Sequence, residues 1–328
     1  MPMTGADPEQ AVSEELLAHC RMIANAFADG EIVPFLGAGA NLCGRPKGES
    51  WKFGEYLPSG SELSEYLALR SGYPLPDRDN LVRVSQYQAT MQGDGPLYKR
   101  LREIFDADYK PTSLHKLLAG LPKTLEVEYG KVRYQLIVTT NYDNALECAF
   151  EEAGQPFDLF TYIAFGEDQG KFLYKAPNEK SRIVANPKRF IEPMLERRPA
   201  ILKIHGAVDR IDETHDSYVI TEDDYLDFLQ RTEISNLVPI TLIERLQNCH
   251  FLFLGYSLKD WNLRVMLQRI WDQQKLGWSS WAVQQETTLL DQRFWMKRGV
   301  DIQIVDLMVY VQFLDDALRV VAAERRQQ

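Results

Sequence analysis

The sequence predicts an α/β protein: a parallel sheet with helices on both faces and a helical subdomain inserted near its start. Six short apolar runs recur along the chain, each followed by a turn signal and a segment of helical period. The runs are continuously apolar rather than alternating, which suits strands buried on both sides. The composition, 45% hydrophobic and 26% charged over 328 residues, is that of a globular protein and excludes a disordered or fibrous chain.

The first run, residues 31–36 (EIVPFL), ends in Gly37-Ala38-Gly39. Residues 44–130 are mostly helical in pattern, with Pro and Gly punctuation at 71–79 and 92–96, too long for a loop and expected to form a small subdomain. Residues 135–138 (QLIV) run into Thr139-Thr140-Asn141. Residues 154–199 are polar, carry Gly166, Gly170, Pro177 and Pro187, and are expected to form an irregular insertion or lid. Residues 201–204 (ILKI) lead into His205-Gly206, and residues 249–254 (CHFLFL) into Gly255-Tyr256-Ser257. A helix is expected over 260–271, where Leu263, Leu267, Ile270 and Trp271 recur at helical spacing behind an Asp260 cap. Runs at 280–283 and 300–305 complete the strands, and 307–326 reads as a final helix on Leu307, Val311, Leu314, Leu318 and Val321. Residues 1–328 then form one domain carrying two insertions.

Charge and cysteine narrow the function. With 37 Lys+Arg against 47 Asp+Glu, the net charge is −10, which argues against a chain that itself grips nucleic-acid phosphates. The pairs Lys188-Arg189 and Arg197-Arg198 read as solvated surface. None of the four cysteines, Cys20, Cys43, Cys148 and Cys249, forms a C-x-x-C pair, so no zinc site of cysteines alone is expected, and no metal. A polar N-terminus without a signal pattern, and no apolar stretch near the ~18 residues that span a bilayer, point to a cytoplasmic protein without a membrane partner.

In an open α/β sheet, ligands bind beyond the carboxyl ends of the strands. Gly37, Ala38 and Gly39 follow the first strand, where glycine permits a tight turn and close approach to a diphosphate, and Asn41 suits a helix cap. G-x-G alone is a weak signal, and the third glycine of a dinucleotide fingerprint is replaced by Leu42. Thr139, Thr140, Asn141 and Asp143 place hydroxyls, an amide and a carboxylate at one strand end, more than a cap requires. His205, at the end of a buried strand, is the best general-base candidate of five histidines; His19, His115, His215 and His250 read as structural or surface groups. Gly255 and Ser257 add another turn with a hydroxyl. Together these groups suit a dinucleotide whose glycosidic bond is cut.

VPFLGAGAN, LIVTTNYDNAL, LKIHGAVD, YVITEDDY and FLFLGYSLKDWNLR, in this order, resemble the motifs of the sirtuin superfamily, closest to its bacterial sirtuin-like effectors of antiphage defence. The resemblance covers residues 33–306 and implies a Rossmann-like sheet that binds NAD⁺ as substrate. It further implies that Gly37 and Gly39 approach the diphosphate, that Asn141 and Asp143 hold the nicotinamide ribose, and that His205 is the base. Gly255 and Ser257 would close around the phosphates and adenosine ribose. Asn41 stands where the family usually has serine.

Deacylases of that superfamily carry two C-x-x-C pairs framing an acyl-peptide groove, and this chain has neither. Water is therefore the expected acceptor, and the expected reaction is hydrolysis of NAD⁺ to nicotinamide and ADP-ribose. A non-catalytic sensor of NAD⁺ or ADP-ribose is the alternative, with protein deacylation third. Uncontrolled NAD⁺ loss would poison the cell, so an off-state is expected, with activation through homo-oligomer assembly or a partner. By family analogy that partner is a HerA-type hexameric ATPase, with a short Argonaute as runner-up.

Overall fold

The computed structural model describes residues 8–126, 133–190, 194–231, 238–258, 264–265, 267–268 and 279–327. Its central sheet has nine strands: β1 (Ile32–Leu36), β2 (Leu136–Thr139), β3 (Asp158–Tyr162), β4 (Phe172–Lys175), β5 (Arg182–Ile183), β6 (Ala200–Lys203), β9 (His250–Leu254), β10 (Ser280–Gln284) and β11 (Val300–Ile304). Their spatial order is β11-β10-β9-β1-β2-β6-β3-β4-β5. From β11 to β3 every pairing is parallel; β4 and β5 add to one edge antiparallel. Two short strands, β7 (Gly206–Ala207) and β8 (Ser217–Tyr218), pair with each other outside this sheet.

The apolar runs are strands because both faces of each are covered. On one face Val33, Phe35, Val138, Leu202, Phe251 and Phe253 pack with α7 (Glu222–Arg231), α8 (Ile240–Gln247) and α9 (Leu289–Met296). On the other, Ile32, Leu36, Ile137, Ile201, Leu252 and Leu254 pack with α1 (Pro8–Ala28), α5 (Ser113–Thr124), α6 (Ala145–Glu152) and α10 (Leu307–Arg326). Alternate residues of one strand thus enter two cores, which removes any polar alternation from the sequence. Asp306 caps α10, its Oδ1 accepting from Met308 N at 2.9 Å.

Pro34 lies inside β1, where proline would remove a rung from a central ladder. Leu36 O accepts from Thr140 N, so the backbone groups of residues 34 and 36 face β2, and the β1–β2 register begins only at Phe35. The missing donor therefore falls where no rung is formed.

Within 44–130, α2 (Gly60–Ser71), α3 (Leu81–Gln92) and α4 (Asp94–Phe105) build a third core from Leu63, Leu67, Val84, Leu101 and Phe105, which also takes in Tyr142 and Tyr218. Helix α5 differs from the expectation: its Leu114, Leu118 and Leu121 face the main sheet. Residues 154–199 also differ, supplying strands β3, β4 and β5 instead of an irregular lid. Tyr162, Phe160, Phe172 and Tyr174 there are buried aromatic residues that extend the sheet. Of the helix expected over 260–271, Asp260, Leu263, Ile270 and Trp271 lie outside the described residues, and Leu267 is buried in the first core. No described helix is long and apolar enough to cross a membrane.

Candidate functional site

Chain order along the sheet reverses at β1: the chain goes first to β2 and β6 on one side, then returns to β9 on the other. A crevice at such a switch point is where open α/β sheets take ligands. Leu36 is in register with Thr139 and with Leu254, and Thr139 with Lys203. The turns that follow, at Gly37, Thr140-Asn141, His205 and Gly255, therefore leave the sheet at one edge.

The first and last of these turns interlock. Gly39 N donates to Gly255 O at 2.7 Å and Gly37 N to Leu254 O at 3.2 Å. A Cβ on Gly37 or Gly39 would stand 2.7 Å from Gly255 O, and one on Gly255 would stand 2.1 Å from Ala40 N. Gly255 also has φ +65°. Glycine at these positions serves the approach of two backbones to each other, and the amides of Gly37 and Gly39 are engaged in that contact. Ala38 and Gly39 are half-buried, and Ser257 is exposed at the rim. Gln284, at the end of β10, fixes the last turn from behind, its Nε2 donating to Tyr256 O at 2.8 Å.

The turn after β2 is held from several sides. Thr139 Oγ1 accepts from Asn141 N at 3.0 Å, and Asn141 Nδ2 donates to Gly37 O at 3.1 Å. Asp143 Oδ1 accepts from Ala145 N, at the first residue of α6, at 2.9 Å, while Oδ2 accepts from Asn41 Nδ2 at 2.7 Å. Asn41 and Asp143 thus cross-link the turns after β1 and β2. The Oδ1 of Asn41 is buried and has no hydrogen-bond partner among the described residues. Thr140 is half-buried, its N–H donating to Leu36 O at 3.2 Å.

His205 is 6% exposed, with edge-to-face contacts to Tyr225 and Phe228 and the Tyr225 hydroxyl 3.5 Å from Nδ1. Burial in this apolar surround pulls its pKa down to about 3, so the imidazole is neutral. Its backbone is fixed by Val219 N donating to His205 O at 2.9 Å, and by the turn at Gly206, where φ is +80° and a Cβ would stand 2.2 Å from Ser217 O.

Other groups at the site were not singled out from the sequence. Lys203, 1% exposed, donates from Nζ to Glu147 Oε1 at 2.6 Å and also to the carbonyl oxygen of Asp143. The visible signal is a lysine inside the apolar run ILKI; its partner cannot be read from spacing. His115 is buried too, and burial brings its pKa to about 4, with Asp143 pulling it up and Lys203 pushing it down. It belongs to the cap of α5, Thr112 N donating to its Nδ1 at 3.2 Å, while Thr112 Oγ1 donates to Ala40 O at 3.1 Å. Helix α5 thereby braces the first turn. Among the described residues no cluster of three or more His, Cys, Asp or Glu could hold a metal, and all four cysteines are free thiols.

Among the described residues the arrangement offers one neutral imidazole, one carboxylate and one unpaired amide oxygen at a single sheet edge, beside the interlocked glycine turns. It can accept hydrogen bonds from hydroxyl groups and stabilise positive charge. Comparison with known proteins matches residues 135–303 to the family model of the SIR2-like domain. The defence-associated sirtuin 2 of Bacillus subtilis is 25% identical over 260 residues, covering 77% of this chain and 20% of that protein. Two proteins named NAD(+) hydrolase ThsA are also similar. That of Cytobacillus dafuensis is 25% identical over 191 residues, 58% of this chain and 30% of its own length. That of Acinetobacter baumannii is 26% identical over 235 residues, 71% of this chain and 38% of its own length. The chain thus spans well under half the length of these relatives.

Proposed function

The chain belongs to the SIR2-like domain family, and from that membership we propose that it hydrolyses NAD⁺ to nicotinamide and ADP-ribose as an effector of antiphage defence. The observation that supports it is the register of β2 against β6, Thr139 opposite Lys203, so that the turns carrying Asn141 and His205 leave the sheet at the same edge as the interlocked Gly37 and Gly255 turns. The similarity to proteins named NAD(+) hydrolase and defence-associated sirtuin supports the same reading.

In this reading the diphosphate lies over Gly37, Ala38, Gly39 and Gly255, with Ser257 at the rim and Thr140 beside the ribose. The nicotinamide C1′–N bond breaks, its electron pair leaving with nicotinamide. Water then adds its oxygen to C1′ and loses a proton to solvent by way of His205. The Asp143 carboxylate opposes the positive charge that develops on the ribose, and such preorganised charge supplies the larger part of the rate. Asn141, held by one Nδ2 hydrogen bond to Gly37 O, offers the ribose its oxygen and its second N–H. The unpartnered Oδ1 of Asn41 suits a ribose hydroxyl as donor. No metal is needed for any of these steps.

Unregulated NAD⁺ loss would exhaust the cytoplasmic pool, so activation is proposed to come from outside the site. The candidates are homo-oligomer assembly, a HerA-type hexameric ATPase and, as runner-up, a short Argonaute; any nucleic-acid contact is then the partner's.

One observation favours a second reading, binding of NAD⁺ or ADP-ribose without turnover. A histidine held near pKa 3 is a weak proton acceptor. Incubating the purified chain with NAD⁺, alone and with each candidate partner, followed by product separation, distinguishes the two. Release of nicotinamide and ADP-ribose, lowered about 10²–10⁴-fold by His205→Ala, is expected. Binding of intact NAD⁺ with no product under any condition supports the sensor.

A further inference from the structure

We propose that Lys203 is a positioning residue whose ammonium sets the turn carrying Asn141 and Asp143; the inference rests on the hydrolase reading and deepens it. Lys203 ends β6 opposite Thr139, on the sheet face shared with Ile201, and is 1% exposed. A charge is costly to bury and persists there only when paired and hydrogen-bonded. Both conditions are met by partners on α6 and its leading turn: Glu147 Oε1 at 2.6 Å and the carbonyl oxygen of Asp143.

The second partner gives the pair its consequence. Asp143 O belongs to the peptide two residues beyond Asn141, so a bond to it fixes the direction in which the turn leaves β2. The same lysine lies two residues before His205. One side chain therefore ties the exit of β6, which aims the imidazole, to the exit of β2, which aims the amide and carboxylate. The side-chain bonds from Asn41 and to Gly37 hold this turn from the β1 side; Lys203 holds it from the β6 side. His115 lies close enough to feel the charges of both Lys203 and Asp143.

Removing Lys203 alone would leave the Glu147 carboxylate buried without its cation, and Glu147 Oε2 already has no hydrogen-bond partner among the described residues. Lys203→Met is therefore expected to damage the fold as well as the turn. The informative protein is Lys203→Met with Glu147→Gln, which removes both charges together, a change that interiors often tolerate. Lys203→Arg, which keeps the cation on a longer, planar head, is the second variant should the pair fail to fold.

The full chain is measured in the state that cleaves NAD⁺. Calorimetric titration with ADP-ribose counts competent sites and gives their Kd, and nicotinamide release gives kcat per competent site. For the double variant we expect full stoichiometry, a Kd within about threefold, and kcat per site lowered roughly 10- to 100-fold, the penalty of ångström-scale misplacement. For Lys203→Arg a smaller loss at full stoichiometry is expected. A lower stoichiometry with kcat per site unchanged would mean that Lys203 only supports the fold, and overturns the inference alone. A parent protein that releases no nicotinamide overturns the hydrolase reading and this inference with it.

Discussion

The Nδ2 amide of Asn41 donates to Oδ2 of Asp143 at 2.7 Å, joining two turns that lie 102 residues apart in the chain. Both side chains are nine-tenths buried or more. Asn41→Leu leaves one carboxylate oxygen without its donor, and a loss of about 1–3 kcal/mol of stability is expected, read by urea unfolding. The exchanged pair, Asn41→Asp with Asp143→Asn, rebuilds the bond but moves the charge to the β1 turn. It should regain most of the stability and little of the NAD⁺ turnover; equal recovery of both would show that the position of the charge is irrelevant.

The interlocked glycines make a contrasting prediction. Gly255→Ala would set a Cβ 2.1 Å from Ala40 N at a φ of +65°, so the two turns must part. We expect at least about 1–3 kcal/mol of destabilisation and loss of NAD⁺ binding. Gly120→Ala, inside α5 with nothing within 4 Å of its Cβ, is expected to be neutral or to stabilise by up to about 1 kcal/mol. Thermal unfolding of the two proteins side by side checks both signs.

Because burial holds His205 near pKa 3, its charge state does not change between pH 5 and 8. The rate of NAD⁺ cleavage should therefore show no His205-dependent step in that range. The test is a pH–rate profile of the parent beside one of His205→Gln. A step near the ordinary histidine value of 6.5 that vanishes in the variant would contradict the buried, neutral imidazole.

Stability, by contrast, depends on pH in this window. His205 and His115 have folded-state pKa values of about 3 and about 4, below the unfolded value, so the unfolded chain binds protons that the folded chain cannot. Above pH 7 neither contributes. As pH falls from 6.5 towards 4, each is expected to remove up to about 1.4 kcal/mol per pH unit. His19, lowered by burial, acts in the same direction. Urea melts at pH 7.5, 6 and 5 should give a falling ΔG, and His115→Gln or His205→Gln should each flatten that slope by one proton.

How much could be read from the sequence follows from where each group sits. β1, β2, β6 and β9 were legible because burial on both faces leaves runs that are apolar almost throughout, Lys203 in β6 and His250 in β9 being exceptions. β3 to β5 were not, since they build the sheet edge among polar, Gly- and Pro-containing segments that read as loop. Leu114, Leu118 and Leu121 recur at helical spacing along α5, but a stripe does not say which of two cores it enters. At the site, Asn141 and His205 stood out as polar groups at strand ends, and parallel register sets the turns that carry them at one sheet edge. The glycines announced a close approach but not its object, the facing turn. Lys203 was visible as a charge in an apolar run, whereas Glu147 and the Asp143 carbonyl become its partners only through the packing of α6 on β6.

The position of β1 between β2 and β9 has a consequence for the order of events during synthesis. Its two ladders come from distant parts of the chain, and pairings this remote form slowly and late. A growing chain that has passed Asn141 and His205 but not Gly255 still lacks the turn that meets Gly37 and Gly39. The complete edge arises only after β9 has emerged and inserted beside β1. A ribosome-bound chain therefore carries Asn141 and His205 before the Gly255 turn that braces Gly37 and Gly39 has formed.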